Sequence, residues 1–322
     1  MTAKRVLVTG AAGFVGSSLT KVLLDRGTEV VGIDNFNDYY NPKHKHSNVA
    51  EFEGVSGYKL YHADFREAEI VEKIISTHKP DAIAHLGAMA NVRYSVEYPQ
   101  LYVDVNITGT LNLLQSAARH AVGNFVFAST SSVYGRRTEV PFYESDQTDL
   151  PLAPYPATKK AAEVLGHSFF NTHGLNFTVL RFFNVYGPKG RPDMMPFKVI
   201  KSLLNGDEIT LYSGGELKRD WTFISDNLQG VVAALDNPLG YEIFNLGRGE
   251  PLSVQEMVRI AEKLVGKTAR IKDVPAPASE IWETFANVDK ARAKLAYQPQ
   301  VSLAEGMAQF WDWCQNNPDL LK

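Results

Sequence analysis

Only one of the 322 residues is a cysteine, Cys314, so no internal disulfide can form. A lone thiol suits a reducing compartment. No apolar run approaches the ~18 residues of a membrane span. Lys4-Arg5 leads straight into Val6-Leu7-Val8 with glycines close behind, which is not the pattern of a secretory signal. The expected setting is the cytoplasm, with no membrane partner. A basic excess is also missing. There are 33 Lys and Arg against 36 Asp and Glu, a formal net charge of −3, so nucleic acid is not an expected partner. Internal repeats and low-complexity tracts are absent. The basic run Lys43-His44-Lys45-His46 reads as a solvated loop that could lie near a bound ribose. Its two histidines are too little to argue for a metal, and none is assigned.

What is present is alternation. Hydrophobic residues make up 44% of the chain, enough for a substantial core. Short β-rich runs at Val6–Val8, Val30–Ile33, Tyr58–His62, Ala82–Leu86, Asn124–Ala128 and Asn176–Leu180 alternate with amphipathic stretches. In Val15–Arg26, for example, Val15, Leu19, Val22 and Leu23 share one face. Repeated βαβ units predict an α/β fold, a Rossmann-like doubly wound parallel sheet with helices on both faces. After about residue 185, turn residues interrupt the pattern, and helical segments are expected near 195–205, 225–236, 253–265 and 302–316. The expected division is a nucleotide domain over 1–185, joined by about 221–248, and a smaller C-terminal α/β substrate domain over 186–322.

Thr9-Gly10-Ala11-Ala12-Gly13-Phe14-Val15-Gly16 follows the first strand and opens the first helix. In that context Gly10 serves a tight turn, Gly13 a close approach to a pyrophosphate, and Gly16 close helix–sheet packing. The helix N-terminus offers free N–H groups to the same anion. Asp34 ends the second strand, where an acid can accept both adenosine ribose hydroxyls and repel a 2′-phosphate. That favours NAD over NADP. The competing reading is a strand-end turn at Asp34-Asn35.

Tyr155 and Lys159 stand four residues apart, on one face of a helix. A free phenol has a pKa of about 10, and bringing it to neutrality takes about 4 kcal/mol of differential stabilisation. An adjacent ammonium and a positive nicotinamide ring could supply this. Pro156 between the pair is tolerated in a first helical turn. Ser129-Thr130-Ser131-Ser132 places hydroxyls at a strand end, over the expected cleft.

Through these residues the chain resembles the extended short-chain dehydrogenase/reductases, and among them the nucleotide-sugar epimerases. The likeness rests on Thr9–Gly16, Asp34-Asn35, His85-Leu86-Gly87-Ala88, Thr130 with Val133-Tyr134-Gly135, Tyr155 with Lys159, Arg181-Phe182-Phe183-Asn184 and Lys218-Arg219-Asp220-Trp221. It implies a tightly held NAD, recycled within each turnover. The sugar is oxidised at C4, the 4-keto sugar rotates, and the hydride returns to its other face. Tyr155 would be the base, with Thr130 on the same oxygen and Lys159 on the nicotinamide ribose. The implied cofactor set also includes Phe14, Val15, Asn35, Asn37, Asp64, Leu86, Gly87, Ala88, Asn106 and Phe182. Asn184 and Arg219 would hold the diphosphate, or Arg219 would form a surface pair with Asp220. Phe197 and Tyr212 would lie near the base, and Glu280 would also meet the substrate. Such enzymes commonly dimerise through two helices, here near Leu101–Arg119 and Ala157–Thr172.

Asn37-Asp38-Tyr39-Tyr40, Val92-Arg93-Tyr94-Ser95 and Gly190-Arg191-Pro192-Asp193-Met194 together resemble UDP-glucuronate 4-epimerases. Arg191 is the candidate for the sugar carboxylate, helped by Ser131 and Ser132, with Arg93 as a second candidate. The decarboxylases and dehydratases of this family carry acids just after the threonine, where this chain has Ser131 and Ser132. The expected reaction is UDP-glucuronate to UDP-galacturonate. A neutral UDP-sugar epimerase, a UDP-glucuronate decarboxylase and a non-catalytic dinucleotide sensor remain as alternatives. Met89, Asn184, Pro277 and Glu280 depart from the family pattern.

Overall fold

The computed structural model describes residues 3–276 and 281–321. Seven parallel strands form the main sheet: β1 (Arg5–Thr9), β2 (Glu29–Asp34), β3 (Tyr58–His62), β4 (Ala82–His85), β5 (Asn124–Thr130), β6 (Phe177–Phe182) and β10 (Tyr241–Leu246). Their order is β10-β6-β5-β4-β1-β2-β3. The chain reverses direction across the sheet between β1 and β4, and a doubly wound sheet opens its ligand crevice at the strand ends there.

Period-2 alternation divides the strand residues between two cores. Val6, Val8, Val126 and Leu180 face one side, where α1 (Phe14–Asp25) and α9 (Ile224–Asp236) supply Leu19, Leu23, Val231 and Ala234. Leu7, Phe125, Phe127, Phe177 and Val179 face the other. There α3 (Ala68–His78), α6 (Gly109–Arg119) and α7 (Pro154–His173) cover them with Ile74, Ile75, Leu113, Leu114 and Ala162. Each large side chain removed from water contributes about 1.5–3 kcal/mol.

The C-terminal region adds β7 (Asn184–Tyr186), β8 (Glu208–Tyr212), β9 (Lys218–Phe223), β11 (Pro251–Ser253), β12 (Arg270–Val274) and β13 (Glu283–Thr284). In it β9 pairs with β7, β11 and β13, and β8 pairs with β12. Its helices are α8 (Met195–Asn205), α10 (Val254–Val265), α11 (Asp289–Leu295) and α12 (Leu303–Asn316). The segment that returns to the main sheet is α9 with β10; Trp221 stays in the smaller sheet, on β9. One buried cluster runs from β1 and β5 into Phe197, Met257 and Phe310, so the two regions share a core.

Two expectations change. Residues 43–46 are not a loop but the start of α2 (Lys43–Ala50), with His44 and Lys45 buried. The first of the two expected dimer helices is also divided. It comprises α5 (Pro99–Tyr102), a π-helical segment Val103–Thr108 and α6.

A buried ion pair locks α7 to the sheet. Glu163 accepts from Arg181 on β6 at 3.1 Å (Nε) and 2.9 Å (Nη2), and from the Ser129 hydroxyl on β5 at 2.5 Å. Removing one partner of such a pair leaves an uncompensated buried charge, at a cost of about 3–5 kcal/mol. Glu163→Gln should lower the unfolding free energy by that amount, read as an earlier midpoint in urea. An unchanged midpoint would show that the pair is dispensable.

Candidate active site

Three glycines build a cradle at the ends of β1 and β4. Gly10 turns the chain at φ +67°, and a Cβ added there would lie 2.7 Å from the Gly87 Cα. A Cβ at Gly16 would overlap the Gly10 carbonyl oxygen. Gly13 caps α1 without a side chain, leaving the first-turn N–H groups without a side-chain acceptor. The Thr9 hydroxyl accepts from the Gly87 N–H at 3.1 Å and lies 2.6 Å from His85 Nδ1. His85 Nε2 lies 2.9 Å from the Thr110 hydroxyl, which tethers the two strand ends to α6. Phe14 packs in the core, so its contribution to the cradle is its backbone. A backbone-walled cradle with a helix N-terminus fits a pyrophosphate.

At the end of β2, Asp34 forms the strand-end turn and reaches the glycine loop. Its Oδ2 accepts from the Ala12 N–H at 3.1 Å and its Oδ1 from the Phe36 N–H at 2.8 Å. Lys45 Nζ lies 3.4 Å from Oδ1, both side chains almost fully buried. The supposedly solvated run thus supplies the acid's counter-ion, which sequence reasoning missed. Asn35 donates to Asp64 at 2.8 Å and accepts from the Asn37 N–H at 3.1 Å. Burial alone would raise the Asp64 carboxyl, but bonds from Arg66 and Asn35 outweigh it and hold the pKa below the usual range. Asn106 is buried. It donates to the Met89 carbonyl (3.0 Å) and to Thr158 Oγ1 (3.1 Å), and accepts from the Met89 N–H (2.9 Å). Both its donors are engaged, so it fixes the loop through Leu86, Gly87, Ala88 and Met89. Phe182 closes β6, beside Thr130 on β5.

Thr130 ends β5 and Tyr155 lies in the first turn of α7, so the Thr130 side chain comes close enough to act on the phenol. The Thr130 hydroxyl also accepts from the Ser132 N–H at 3.1 Å, fixing the turn that carries Ser131 and Ser132. Burial raises the Tyr155 phenol; Thr130 and the positive charge of Arg191 pull it back down. Arg191 is thus a positive charge acting on Tyr155 that sequence reasoning had not assigned to it. Lys159 is buried with Nζ 4.1 Å from the centre of the Phe127 ring. Burial drives its pKa down to about 7, against the opposing pull of Glu163 one helical turn further on.

Arg191 is not a solvated turn arginine. It grips Asp193 with Nε at 2.9 Å and Nη2 at 3.0 Å. Asp193 also accepts from the Tyr39 hydroxyl and Asn91 Nδ2, each at 3.0 Å. The motifs around residues 37–40, 91–95 and 190–194 therefore meet at one carboxylate that sequence reasoning passed over. Arg93 instead donates to the Tyr212 hydroxyl at 2.9 Å, with its guanidinium 5.4 Å from that ring's centre, and so spans from α4 (Val92–Glu97) to β8.

Asn184 begins β7, opposite Trp221 of β9. The proposed Arg219–Asp220 surface pair is not formed. Arg219 donates to the carbonyls of Lys218 (2.8 Å) and Ile281 (3.0 Å). Asp220 is buried and accepts the backbone N–H groups of Arg248, Gly249 and Ala286. Phe197 does not lie in the cleft. It is 2% exposed, between His44 and Phe310, because helical spacing turns it inward with Ile200 and Leu203. Pro277 and Glu280 lie outside the described residues. No group of three metal-ligating side chains occurs among the described residues.

The cradle yields a test. Helix propensity favours alanine over glycine by about 1 kcal/mol, so Gly16→Ala should stabilise α1 unless the close approach matters. It should instead lower the thermal midpoint and weaken dinucleotide binding roughly tenfold or more, read by calorimetry. A more stable variant with unchanged affinity would contradict the cradle.

Comparison with known proteins agrees with this geometry. A protein of Thermodesulfobacterium geofontis named UDP-glucuronate 4-epimerase is 40% identical over 98% of both chains. The crystal structure of UDP-glucuronic acid 4-epimerase from Bacillus cereus, in complex with UDP-glucuronic acid and NAD, superposes with a TM-score of 0.91. It is 34% identical, over 97% of this chain and 99% of that one. UDP-glucose 4-epimerase from Thermotoga maritima, with UDP-glucose, gives a TM-score of 0.87 at 28% identity, over 98% and 99%. Residues 6–247 match the model of the NAD dependent epimerase/dehydratase family, and the chain belongs to that family.

Proposed function

We propose that this protein interconverts UDP-glucuronate and UDP-galacturonate by epimerisation at C4. One observation carries the reading: Thr130 and Arg191 both act on Tyr155 against the effect of burial, while the positions after Thr130 are serines rather than acids. NAD, when bound, supplies reversible oxidation at C4. The Gly10–Gly16 cradle and Asp34 would hold its adenosine diphosphate half, and Lys159 its nicotinamide ribose.

The chain's own groups then account for the rest. Tyr155 removes the proton from the 4-hydroxyl and returns it to the same oxygen after the sugar has turned over. Thr130 holds that oxygen during both transfers. Burial makes an isolated phenolate costly at Tyr155, and Thr130 and Arg191 both lower that cost. Ser131, Ser132 and the Nη1 corner of Arg191 face the sugar carboxylate. With no acid beside Thr130, nothing drives elimination or assists loss of CO2 from the β-keto acid. Asn184 and Arg219 serve the diphosphate, and Tyr212 flanks the base.

The reading of a neutral UDP-sugar rests on one observation in its favour: Asp193 already takes two of Arg191's donors. Chromatography of products from UDP-glucuronate and UDP-glucose separates the readings. UDP-galacturonate is expected; turnover of UDP-glucose alone would overturn the assignment, and UDP-pentose would mark a decarboxylase. Tyr155→Phe should lose at least about 100-fold in kcat yet keep bound NAD, and full activity would remove tyrosine from the base role. Arg191→Ala should cost acidic sugars roughly tenfold more in kcat/KM than neutral ones; equal losses would refute a carboxylate contact.

The homodimer belongs to the same reading. Val164 on α7 is 57% exposed, and Phe169 and His173 line a shallow depression with Gln115, Ala118 and Arg119 of α6. Two such faces would close a four-helix interface about a twofold axis. Val164→Glu should shift the sedimentation equilibrium from dimer to monomer; a monomeric wild type would refute the interface.

A further inference from the structure

Arg191 does not offer its whole guanidinium to a ligand. Two of its nitrogens, Nε and Nη2, form a planar fork on Asp193. Nη2 also lies 3.4 Å from the Ala90 carbonyl and 3.8 Å from the Met194 sulfur. Among the described residues Nη1 has no hydrogen-bond partner. Asp193 cannot swing aside readily. Besides Arg191, its Oδ2 accepts from Tyr39, on the loop after β2, and from Asn91, at the N-cap of α4. Tyr39 packs in turn against Tyr94, centroids 5.0 Å apart. The post is thus tied to the loops after β2 and β4 and to the turn before α8.

A carboxylate ligand therefore meets an arginine whose charge is largely compensated and whose bidentate edge is taken. It can use one corner only. Such a hold is weak, and weakness has a use here. The keto sugar must leave one face and present the other, so an acid gripped by a free bidentate arginine would bind well and turn slowly. Resting on the reading that the substrate is UDP-glucuronate, we propose that Asp193 is a positioning residue that sets the balance between acid binding and turnover. It occupies the Nε/Nη2 edge of Arg191 and leaves the Nη1 corner for the sugar carboxylate.

The test compares wild type with Asp193→Asn, Tyr39→Phe and Asn91→Ala, each checked for bound NAD. Dissociation constants for UDP-glucuronate and UDP-glucose are measured by calorimetry, and kcat and KM for UDP-glucuronate by product formation. Asp193→Asn removes the compensating charge at constant size. UDP-glucuronate should bind about tenfold tighter relative to UDP-glucose, while kcat falls by a similar factor. Tyr39→Phe and Asn91→Ala loosen the post and should move both quantities the same way by less; they decide the matter if Asp193→Asn does not fold. Equal weakening of both sugars, or an unchanged acid-to-neutral ratio, would overturn the proposal and reduce Asp193 to a structural role. A wild type that leaves UDP-glucuronate unchanged would instead overturn the functional reading, and this inference with it.

Discussion

The contact between Gly10 and Gly87 is the constraint from which the rest of the site follows. A Cβ at Gly10 would run into the Gly87 backbone, and one at Gly87 would meet the Phe65 ring and the Gly10 nitrogen, so the ends of β1 and β4 stay in close approach. The contact closes the dinucleotide cradle on one side. On the other it launches the loop after β4 in a fixed direction. Asn106 pins that loop at Met89, and two residues later Asn91 reaches Asp193, which orients Arg191 toward Tyr155. The same glycine contact thus also bears on the position of the charge that acts on Tyr155.

The second constraint is the ion pair beneath α7. Glu163 is fully buried and satisfied by Arg181 and Ser129, so α7 cannot slide along the sheet. That fixes Tyr155 two turns upstream against Thr130. Lys159, between them on the helix, is left in an apolar setting above Phe127, where only the Glu163 charge opposes its loss of a proton. The two cations of the site therefore differ in kind. Arg191 keeps its charge whatever its surroundings, whereas Lys159 sits near its titration point at neutral pH.

The fold was legible because period-2 and period-3.6 patterns are local. Val6–Val8 and Phe125–Phe127 alternate between two cores, and α8, α9, α10 and α12 fall where their apolar spacing puts them, whereas the short α11 was not expected. The strand ends were less legible. β5 and β6 run two residues beyond their apolar runs, to Thr130 and Phe182, because Ser129 and Arg181, which turn inward to Glu163, interrupt the hydrophobic signal. Tyr155, Lys159 and the glycines carried their own chemistry in their spacing. Lys45 and Asp193 did not. A lysine in Lys43-His44-Lys45-His46 looks solvated until Asp34 is brought beside it. An aspartate two residues after an arginine in a proline-containing turn looks generic until Tyr39 and Asn91 converge on it. Phe197 failed for the opposite reason: an aromatic near a nucleotide motif invites a stacking role, and helical phase sent it to the core.

The central claim is that oxidation and its reversal occur at one carbon without loss of the carboxylate. UDP-glucuronate carrying deuterium at C4, incubated with the holoenzyme and followed by mass spectrometry and NMR, tests it directly. The account predicts UDP-galacturonate with deuterium retained at C4 and all six sugar carbons present. Label lost to solvent, or a labelled UDP-pentose, would contradict it.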